Sequence, residues 1–314
     1  MTDISSMTIA TVGVHVLDVH AIGIESIPEG SAGALVDTIA FSPAGTAGGT
    51  AVVLSRLGAG VRSIGAVGAD SIGRTLMTLL SGEGVDTGRL VTKADAQTSA
   101  SVIPVRPNGD RPAWHCIGAN GVFTLDDIDD DALEGLTHLH LGGPEFLGGP
   151  AAGELLARAR GKGITTSVDI LADGDPGMLE WIADALPHVD YLLPNDDQVR
   201  GFTGADMLAE GARMLIERGV ACVALTAGAD GALVVTPDET IAVPAFAIDV
   251  VDTTGCGDSF SAGFLVGRHL GRDLRGSAVL GCAVAAQVAR GLGTTAGSYD
   301  LDSVVEFARS APTG

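Results

Sequence analysis

The sequence predicts an α/β fold in which a mostly parallel central sheet is covered by helices on both faces. From Thr8 onward, short apolar runs rich in β-branched residues alternate with segments of helical periodicity, which is the pattern of successive βα units. Several of the helical segments are followed by glycine, the residue that most often ends an α-helix. With 314 residues and 46% hydrophobic content, the chain is long enough to bury a large core.

The predicted core strands are the apolar runs that lie between the helical segments. The first of them reads Ile-Ala-Thr-Val-Gly-Val, and β-branched residues of this kind favour a buried strand. We expect strands that are joined through a helix to run parallel, because the helix supplies the long crossover connection that a parallel pair needs. We predict core strands at residues 9–14, 63–67, 138–141, 165–169, 191–194, 221–226 and 232–236.

The predicted helices lie between these strands. Four of them end at or just before a glycine, namely Gly58, Gly161, Gly219 or Gly271. We predict helices at residues 50–57, 71–83, 153–160, 179–186, 205–218 and 259–270.

Two segments, residues 20–42 and 97–118, interrupt the alternation. Both lack helical periodicity and carry β-forming residues punctuated by Gly and Pro. They could be long loops, but loops of more than about 15 residues without structure of their own are uncommon in compact domains. We therefore predict that both form strands of a small β-sheet, which projects from the main sheet as a lid within one domain of residues 1–314.

The charge of the chain limits its partners. Eighteen Lys and Arg against 39 Asp and Glu give a net charge of −21, which repels nucleic acids and anionic membranes. The four cysteines form no C-x-x-C pair, so we expect no zinc site or disulfide scaffold, and a cytoplasmic location. Since Lys93 and Lys162 are the only lysines, a bound phosphate would be held by backbone N–H groups and a few arginines.

The strongest functional signal is a glycine turn that opens into a helix, Asp252-Thr253-Thr254-Gly255-Cys256-Gly257-Asp258. Backbone N–H groups and the positive end of the helix dipole converge there, which makes an anion site that needs no lysine. Asp258 lies in the first helical turn, where capping is a common role for Asp. A carboxylate beside an anion site can instead take a proton from a hydroxyl that attacks a bound phosphate. The residues alone leave both roles open.

This segment resembles the D-T-x-G-A-G-D signature of the PfkB/ribokinase carbohydrate kinases. Other elements over residues 8–300 resemble the family's motifs in the expected order. Gly13 with Asp18 is similar to the early G-x-x-x-x-D element, and PAGTAGGTA at residues 43–51 is similar to the first signature. The segments GAVGADSIG at 65–73, PNDDQ at 194–198 and TAGADG at 226–231 resemble G-x-V-G-x-D-x-x-G, N-x-x-E and the T-x-G-x-x-G nucleotide loop. The resemblance implies a three-layer ribokinase-like fold with a β-sheet lid over a sugar.

The activity that the resemblance implies is phosphorylation of a sugar hydroxymethyl group by ATP with Mg2+. Asp258 would be the general base. Sugar-binding positions would be Asp18, Gly45, Gly49 and Glu145. The N–H groups that stabilise the transferred phosphoryl charge would be those of Gly255, Cys256 and Gly257.

The resemblance also implies a nucleotide site, a cation site and a homodimer. The nucleotide would lie along Asn195, Thr226, Gly228 and Gly231. Many family members bind a monovalent cation such as K+ in the region that corresponds to Asp252, Thr254, Gly293 and Ser298. A dimer through the lid is expected, because the exposed edge of the lid sheet often pairs in this family.

Three residues depart from the family pattern. Gly49 stands where Asn is usual, which removes a hydrogen-bonding side chain and is expected to widen the sugar pocket. Gln198 replaces the glutamate of N-x-x-E and removes a charge from the magnesium and phosphate network. Cys256 replaces Ala, but the charge-stabilising role belongs to its backbone.

Charged residues near the lid allow weaker predictions. His15 and His20 flank Asp18, and we expect surface histidines there, with a sugar contact by His15 as the alternative. Arg106 and Arg111 lie in the second lid segment, where they could contact an anionic substrate or solvate a turn. For Arg111 we expect the turn, because it follows Asn-Gly-Asp at 108–110.

The function that these observations favour is an ATP-dependent sugar kinase. A nucleoside kinase of the same fold is the nearest alternative, because Gly49 could admit a ligand that carries a base, although residues 20–42 offer few aromatics for stacking. A catalytically weak sugar- or nucleotide-binding regulator is the alternative from another class, since Gln198 would allow it. Retention of Asp258 and the glycines of the anion site argues for an enzyme.

Overall fold

The computed structural model describes residues 3–107 and 110–312. The β-strands in this part of the chain are β1 (Thr8–Gly13), β2 (Val16–Ile22), β3 (Thr38–Ala44), β4 (Gly60–Gly68), β5 (Asp86–Lys93), β6 (Ala100–Val105), β7 (Trp114–Cys116), β8 (His138–Gly142), β9 (Thr165–Asp169), β10 (Tyr191–Leu192), β11 (Val223–Thr226), β12 (Ala232–Val235) and β13 (Thr240–Val243). The α-helices are α1 (Gly48–Arg56), α2 (Ser71–Gly82), α3 (Pro144–Leu147), α4 (Gly149–Gly161), α5 (Pro176–Trp181), α6 (Asp196–Thr203), α7 (Leu208–Glu217), α8 (Cys256–His269), α9 (Leu274–Val288) and α10 (Leu301–Ser310).

The main sheet has the strand order β13-β12-β11-β10-β9-β8-β1-β4-β5. Pairing is parallel from β11 through to β5, whereas β12 and β13 are antiparallel at the far edge. The predicted mostly parallel sheet is therefore confirmed. In such a sheet the carboxyl ends of the parallel strands lie along one edge, which is where α/β proteins bind ligands.

Each face of the main sheet packs against its own layer of helices. Along β1, Ile9 packs into a core cluster with Phe260 and Phe264 of α8. Its neighbour Ala10 points to the opposite face, into a cluster that contains Leu155 of α4. This alternation follows from the two-residue period of a strand, and it confirms the three-layer α/β fold.

A second, four-stranded sheet has the order β3-β2-β6-β7 and forms the predicted lid. Its inner face is polar and buried, and in the register of the sheet Asp18 of β2 lies between Ser42 of β3 and Ser101 of β6. Within the first lid segment, residues 24–37 form no strand, so the predicted span 20–42 contains a loop between β2 and β3. The predicted lid strands are confirmed, and β2 is hydrogen-bonded to β3 on one edge and to β6 on the other.

In the described ranges, no helix combines the length and the apolar character that crossing a bilayer requires.

Candidate active site

The anion loop, residues 252–257, runs into the first turn of α8. Gly255 is the N-cap residue and has φ +75°, and a Cβ there would lie 2.7 Å from the Cα of Thr294, so only glycine fits. The first amides of a helix have no acceptor within the helix. Although the N–H of Cys256 donates to the carbonyl of Thr253, a Cβ on Gly257 would meet no atom within 4 Å. The amide end of α8 at Gly257 is therefore open to a ligand.

Asp258 is not the capping residue of α8. The N-cap position belongs to Gly255, and among residues 3–107 and 110–312 no first-turn amide donates to the Asp258 carboxylate. Burial, followed by the negative charge of Asp18, raises the pKa of Asp258 to about 7, and the Thr50 hydroxyl lowers it in part. A carboxyl group with a pKa near neutrality can both accept and release a proton at physiological pH.

Gly49, near the start of α1, lies directly against Asp258. A Cβ at position 49 would be 2.3 Å from the Oδ2 atom of Asp258 and 3.0 Å from the Cγ2 atom of Thr294. The space that a side chain would take is filled by the carboxylate, so the structure differs from the expectation that Gly49 widens the sugar pocket. The glycine instead lets α1 approach the carboxyl group of α8.

Asp18 lies on the buried face of the lid. Burial raises the pKa of its carboxyl group, while the Ser101 hydroxyl and the nearby His20 and His115 lower it in part. Ser101 is also within 3.0 Å of the Nδ1 atom of His115. The lid thus brings an acidic group surrounded by hydrogen-bonding side chains toward Asp258.

Glu145, in the short helix α3, points one carboxylate oxygen at backbone amides and leaves the other free. Its Oε1 atom accepts hydrogen bonds from the N–H groups of Leu171 (2.9 Å) and Ala172 (2.8 Å). Its Oε2 atom is buried and has no hydrogen-bond partner within the described residues. A buried oxygen without a partner is suited to accept a ligand hydroxyl.

Asp169 lies beside Asp258 and Glu145 in the candidate active site, although the sequence motifs do not include it. It ends β9, and burial and the charges of Asp258 and Glu145 raise its pKa well above the usual range. Ser261 of α8 lies 3.4 Å from its carboxylate. Its signal in the sequence is an acidic residue at the carboxyl end of a predicted parallel strand.

Gly45 lies between the lid and the main sheet, just ahead of α1. A Cβ there would be 2.6 Å from the carbonyl oxygen of Val14, and its own carbonyl accepts from the N–H of Gly49 at 2.7 Å. Gly45 therefore sets the close packing of the chain that leads into α1.

The predicted nucleotide residues lie together at the carboxyl ends of β10 and β11. Asn195 pairs with Thr226 in an isolated parallel bridge, and the N–H of Thr226 donates to the carbonyl of Pro194. Gly228 and Gly231 bound the short turn that follows β11. A Cβ at Gly228 would meet no atom within 4 Å, so this edge is open.

Gln198 is buried, and both ends of its side-chain amide are hydrogen-bonded to the backbone. Its Nε2 atom donates to the carbonyls of Ile170 (2.7 Å) and Ala172 (2.9 Å). Its Oε1 atom accepts from the N–H of Asn195, whose side chain caps α6 in return. The structure thus differs from the expectation that Gln198 alters a phosphate network, because its amide fixes the backbone at 170–172.

Cys256 directs its thiol toward α9, away from the anion loop. The Sγ atom lies 3.7 Å from the carbonyl of Ala285, and burial raises the pKa of the thiol to about 11. The thiol is therefore held in its neutral form, and the role of the Cys256 backbone stays a prediction.

Of the residues expected at a monovalent cation, Thr254 and Gly293 contact the Asp252 carboxylate, whereas Ser298 is exposed. The Asp252 carboxylate accepts hydrogen bonds from the N–H groups of Thr254 and Gly293, both at 2.8 Å. The guanidinium of Arg111 also contacts Asp252 and the Thr254 hydroxyl. The expectation that Arg111 solvates a turn is wrong, since it binds the anion loop; residues 108 and 109 lie outside the described part of the chain.

The two histidines beside Asp18 are buried, so the expectation of surface histidines is wrong. His15 packs behind the site, with its ring nitrogens 2.9 Å from the Gly13 carbonyl and the Ser63 hydroxyl. His20 is on the lid's inner face, with Nε2 3.1 Å from the hydroxyl of Ser42. Its Nδ1 atom is buried and, over the described ranges, without a partner.

Phosphoryl transfer needs positioning and charge stabilisation more than covalent chemistry from a protein. The amide end of α8 that is open at Gly257, a carboxyl group with a pKa near 7 beside it and a polar lid provide both, which is the arrangement of a small-molecule kinase. The family model of the pfkB family carbohydrate kinases matches residues 9–300, and the chain belongs to this family.

Individual relatives agree with this assignment. An uncharacterized sugar kinase of Archaeoglobus fulgidus is 32% identical over 240 residues, which cover 74% of this chain and 93% of that protein. A nucleoside kinase of Methanothermobacter thermautotrophicus is 27% identical over 289 residues, or 91% of each chain. The solved structure of Arabidopsis thaliana ribokinase complexed with ribose and ATP has a TM-score of 0.82 at 21% identity, covers 97% of this chain and 99% of that one, and shares the fold.

Proposed function

We propose that this carbohydrate kinase transfers the γ-phosphoryl group of ATP to a hydroxymethyl group of a small sugar, with Asp258 as the general base. The observation that carries the proposal is the Asp258 carboxyl group, which has a pKa of about 7 and lies beside the amide end of α8 that is open at Gly257. As the sugar oxygen bonds to the γ-phosphorus, its proton passes to Asp258. The bond from the γ-phosphorus to the oxygen that bridges to the β-phosphate breaks, and ADP leaves.

The anion loop is suited to the charge that develops in this step. The amides of Gly255, Cys256 and Gly257 are at the positive end of the α8 dipole, where negative charge is stabilised. The nucleotide itself would lie along the open edge formed by Asn195, Thr226, Gly228 and Gly231.

Mg2+, when bound with the nucleotide, would neutralise phosphate charge. The described residues form no group of three or more His, Cys, Asp or Glu side chains that would hold a metal on its own. This fits an ion that is bound largely through the phosphates of its nucleotide, which is the common mode for Mg2+.

The acceptor would lie between the lid and the carboxyl edge of the main sheet. Asp18 and the free Oε2 atom of Glu145 are buried acceptors, so each would take a hydrogen bond from a sugar hydroxyl. A sugar carries several such hydroxyls and no charge, which suits a pocket that already holds several carboxyl groups.

A nucleoside is the second candidate acceptor, favoured by the 27% identity to a nucleoside kinase over 91% of each chain. A base would need an apolar or aromatic surface for stacking. The inner lid face instead carries Asp18, His20, Ser42 and Ser101, and these polar groups favour the sugar.

Replacement of Asp258 by asparagine tests the general base. Loss of a general base typically costs 10²–10⁴-fold in rate, so Asp258→Asn should lower ADP formation by about that factor. The assay should use pentoses, ketohexoses, sugar acids and nucleosides as acceptors. Binding of the active acceptor, followed by calorimetry, should remain near the wild-type value. Turnover by the variant within a few-fold of wild type would exclude Asp258 as the base, and a non-catalytic regulator would bind ligand without forming ADP with any acceptor.

We also propose a homodimer through the outer face of the lid. This face exposes Ile39, Phe41, Val102 and Trp114 on β3, β6 and β7, with more than 45% of each side chain accessible. A contiguous apolar surface on a sheet is typical of a protein–protein contact. Its occupant would be a second copy of the same sheet.

A further inference from the structure

Arg111 connects the lid to the anion loop across a long stretch of sequence. It lies between β6 and β7, and its Nη1 atom contacts the Asp252 carboxylate and the Thr254 hydroxyl. Its Nη2 atom donates to the Thr253 hydroxyl at 2.8 Å. Three consecutive residues of the anion loop are therefore bound by one lid side chain.

Asp252 needs a positive partner. Its side chain is 1% exposed, and the N–H groups of Thr254 and Gly293 give it hydrogen bonds but no full charge. A buried carboxylate is costly unless it is paired, and a guanidinium stays charged at every physiological pH. Arg111 supplies the missing charge.

The same residues do not fit a monovalent cation while Arg111 is in place. Such a cation would take its ligands from the Asp252 carboxylate and the Thr254 hydroxyl, and both already bind the guanidinium. A second positive charge a few ångströms from the first would also be repelled. The cation that the resemblance implies is therefore in conflict with the position of Arg111.

We propose that the Arg111 guanidinium replaces the monovalent cation, so that the lid itself holds the anion loop in position and the protein is independent of K+. Arg111 is then a positioning residue, because it acts through the loop and not on the reacting atoms. Only the expected effect on turnover rests on the proposed function; the effect on ion binding does not.

The test is the thermal midpoint in KCl and in choline chloride, at a fixed ionic strength of about 0.1 M. For the wild type we expect the two midpoints to coincide. Arg111→Met leaves Asp252 without a positively charged partner. The midpoint of this variant should therefore be lower in choline chloride and rise by roughly 2–4 °C in KCl, as the ion takes the vacated place. Arg111→Lys keeps a positive charge and should restore equal midpoints.

Arg106→Met is the matched control, because Arg106 lies in the same lid segment but pairs with Asp110 at 3.7 Å. Its midpoints should coincide in the two salts. A wild-type midpoint that is higher in KCl than in choline chloride by about 2 °C or more would overturn the proposal, and this comparison needs no variant to fold. Equal midpoints for Arg111→Met in the two salts would overturn it as well.

ADP formation gives a second readout that separates this inference from the proposed function. Wild-type turnover should be the same in both salts, whereas KCl should activate Arg111→Met by about tenfold or more, since a displaced loop costs much of the rate. If no acceptor supports turnover, the proposed function fails, and the midpoints still decide the role of Arg111.

Discussion

Replacing Gly49 by alanine should impair catalysis while leaving the fold intact. The added Cβ would lie 2.3 Å from the Oδ2 atom of Asp258, whereas ordinary contacts begin at 3.4 Å, so the carboxylate must retreat by about 1 Å. A displacement of this size at a catalytic group costs about 10²-fold in rate. We therefore expect kcat to fall by roughly that factor.

The cost to folding should be small, for two reasons. The atom that must move is the end of a side chain, which can rotate away from the new methyl group. Alanine is also favoured over glycine in a helix by about 0.5–1 kcal/mol, which offsets the tight contact with Thr294. The thermal midpoint of Gly49→Ala should stay close to that of the wild type.

The assay is ADP release at saturating ATP and acceptor, together with a melting curve for each variant. Gly82→Ala serves as the control, because Gly82 also lies in a helix and a Cβ there would meet no atom within 4 Å. A kcat for Gly49→Ala within threefold of the control would refute the link between this close approach and the position of the base, since about 100-fold is expected.

Three further predictions concern stability and assembly. The pKa of Asp258 is raised from 3.8 to about 7 in the folded protein, so as the pH rises the unfolded chain loses this proton at a lower pH than the folded one. The free energy of unfolding should therefore fall between about pH 4 and 7, by at most ~4 kcal/mol. Urea titrations at each pH measure this pH dependence, which Asp258→Asn should flatten. The same pH dependence of unfolding in the wild type and the variant would contradict the raised pKa of Asp258. Gln198→Glu removes the N–H donors to the carbonyls of Ile170 and Ala172 and should lower the free energy of unfolding by roughly 2–3 kcal/mol. Gln97→Glu, at an exposed site, is the control, and equal urea midpoints for the two variants would contradict a stabilising role of these hydrogen bonds. Light scattering at micromolar concentration should find a dimer that Phe41→Glu dissociates, whereas a wild-type monomer would argue against the lid interface.

Much of the fold follows from local sequence, because buried parallel strands are apolar runs. Two kinds of element escape that signal. β5 is an edge strand whose exposed residues alternate with half-buried ones, so it lacks an apolar run. α9 is buried around most of its circumference, and its nearly continuous apolar sequence has no polar face to mark a helix.

The candidate site divides in the same way. The anion loop could be predicted because its chemistry is contained in consecutive residues of one turn and helix. The contacts of Gly49 with Asp258 and of Arg111 with Asp252 join segments far apart in the chain, and they depend on how α1 and the lid pack against α8. Residue type alone gave no sign of either contact.

The electrostatics of the site explain why the anion loop has to be firmly positioned. Asp18 and Asp169 are buried near Asp258, and burial is the main reason why the pKa of each of the three carboxyl groups is raised. The charge of Asp18 raises the pKa of Asp258 further, and the charge of Asp258 raises that of Asp169. A phosphate group at the open end of α8 would add further negative charge and favour the protonated form of Asp258, which cannot act as a base. The aligned amides of the loop oppose this effect only if they face the phosphate. Asp252 accepts hydrogen bonds from the loop and pairs with Arg111, so in the proposed mechanism the lid arginine would support a deprotonated base without touching it.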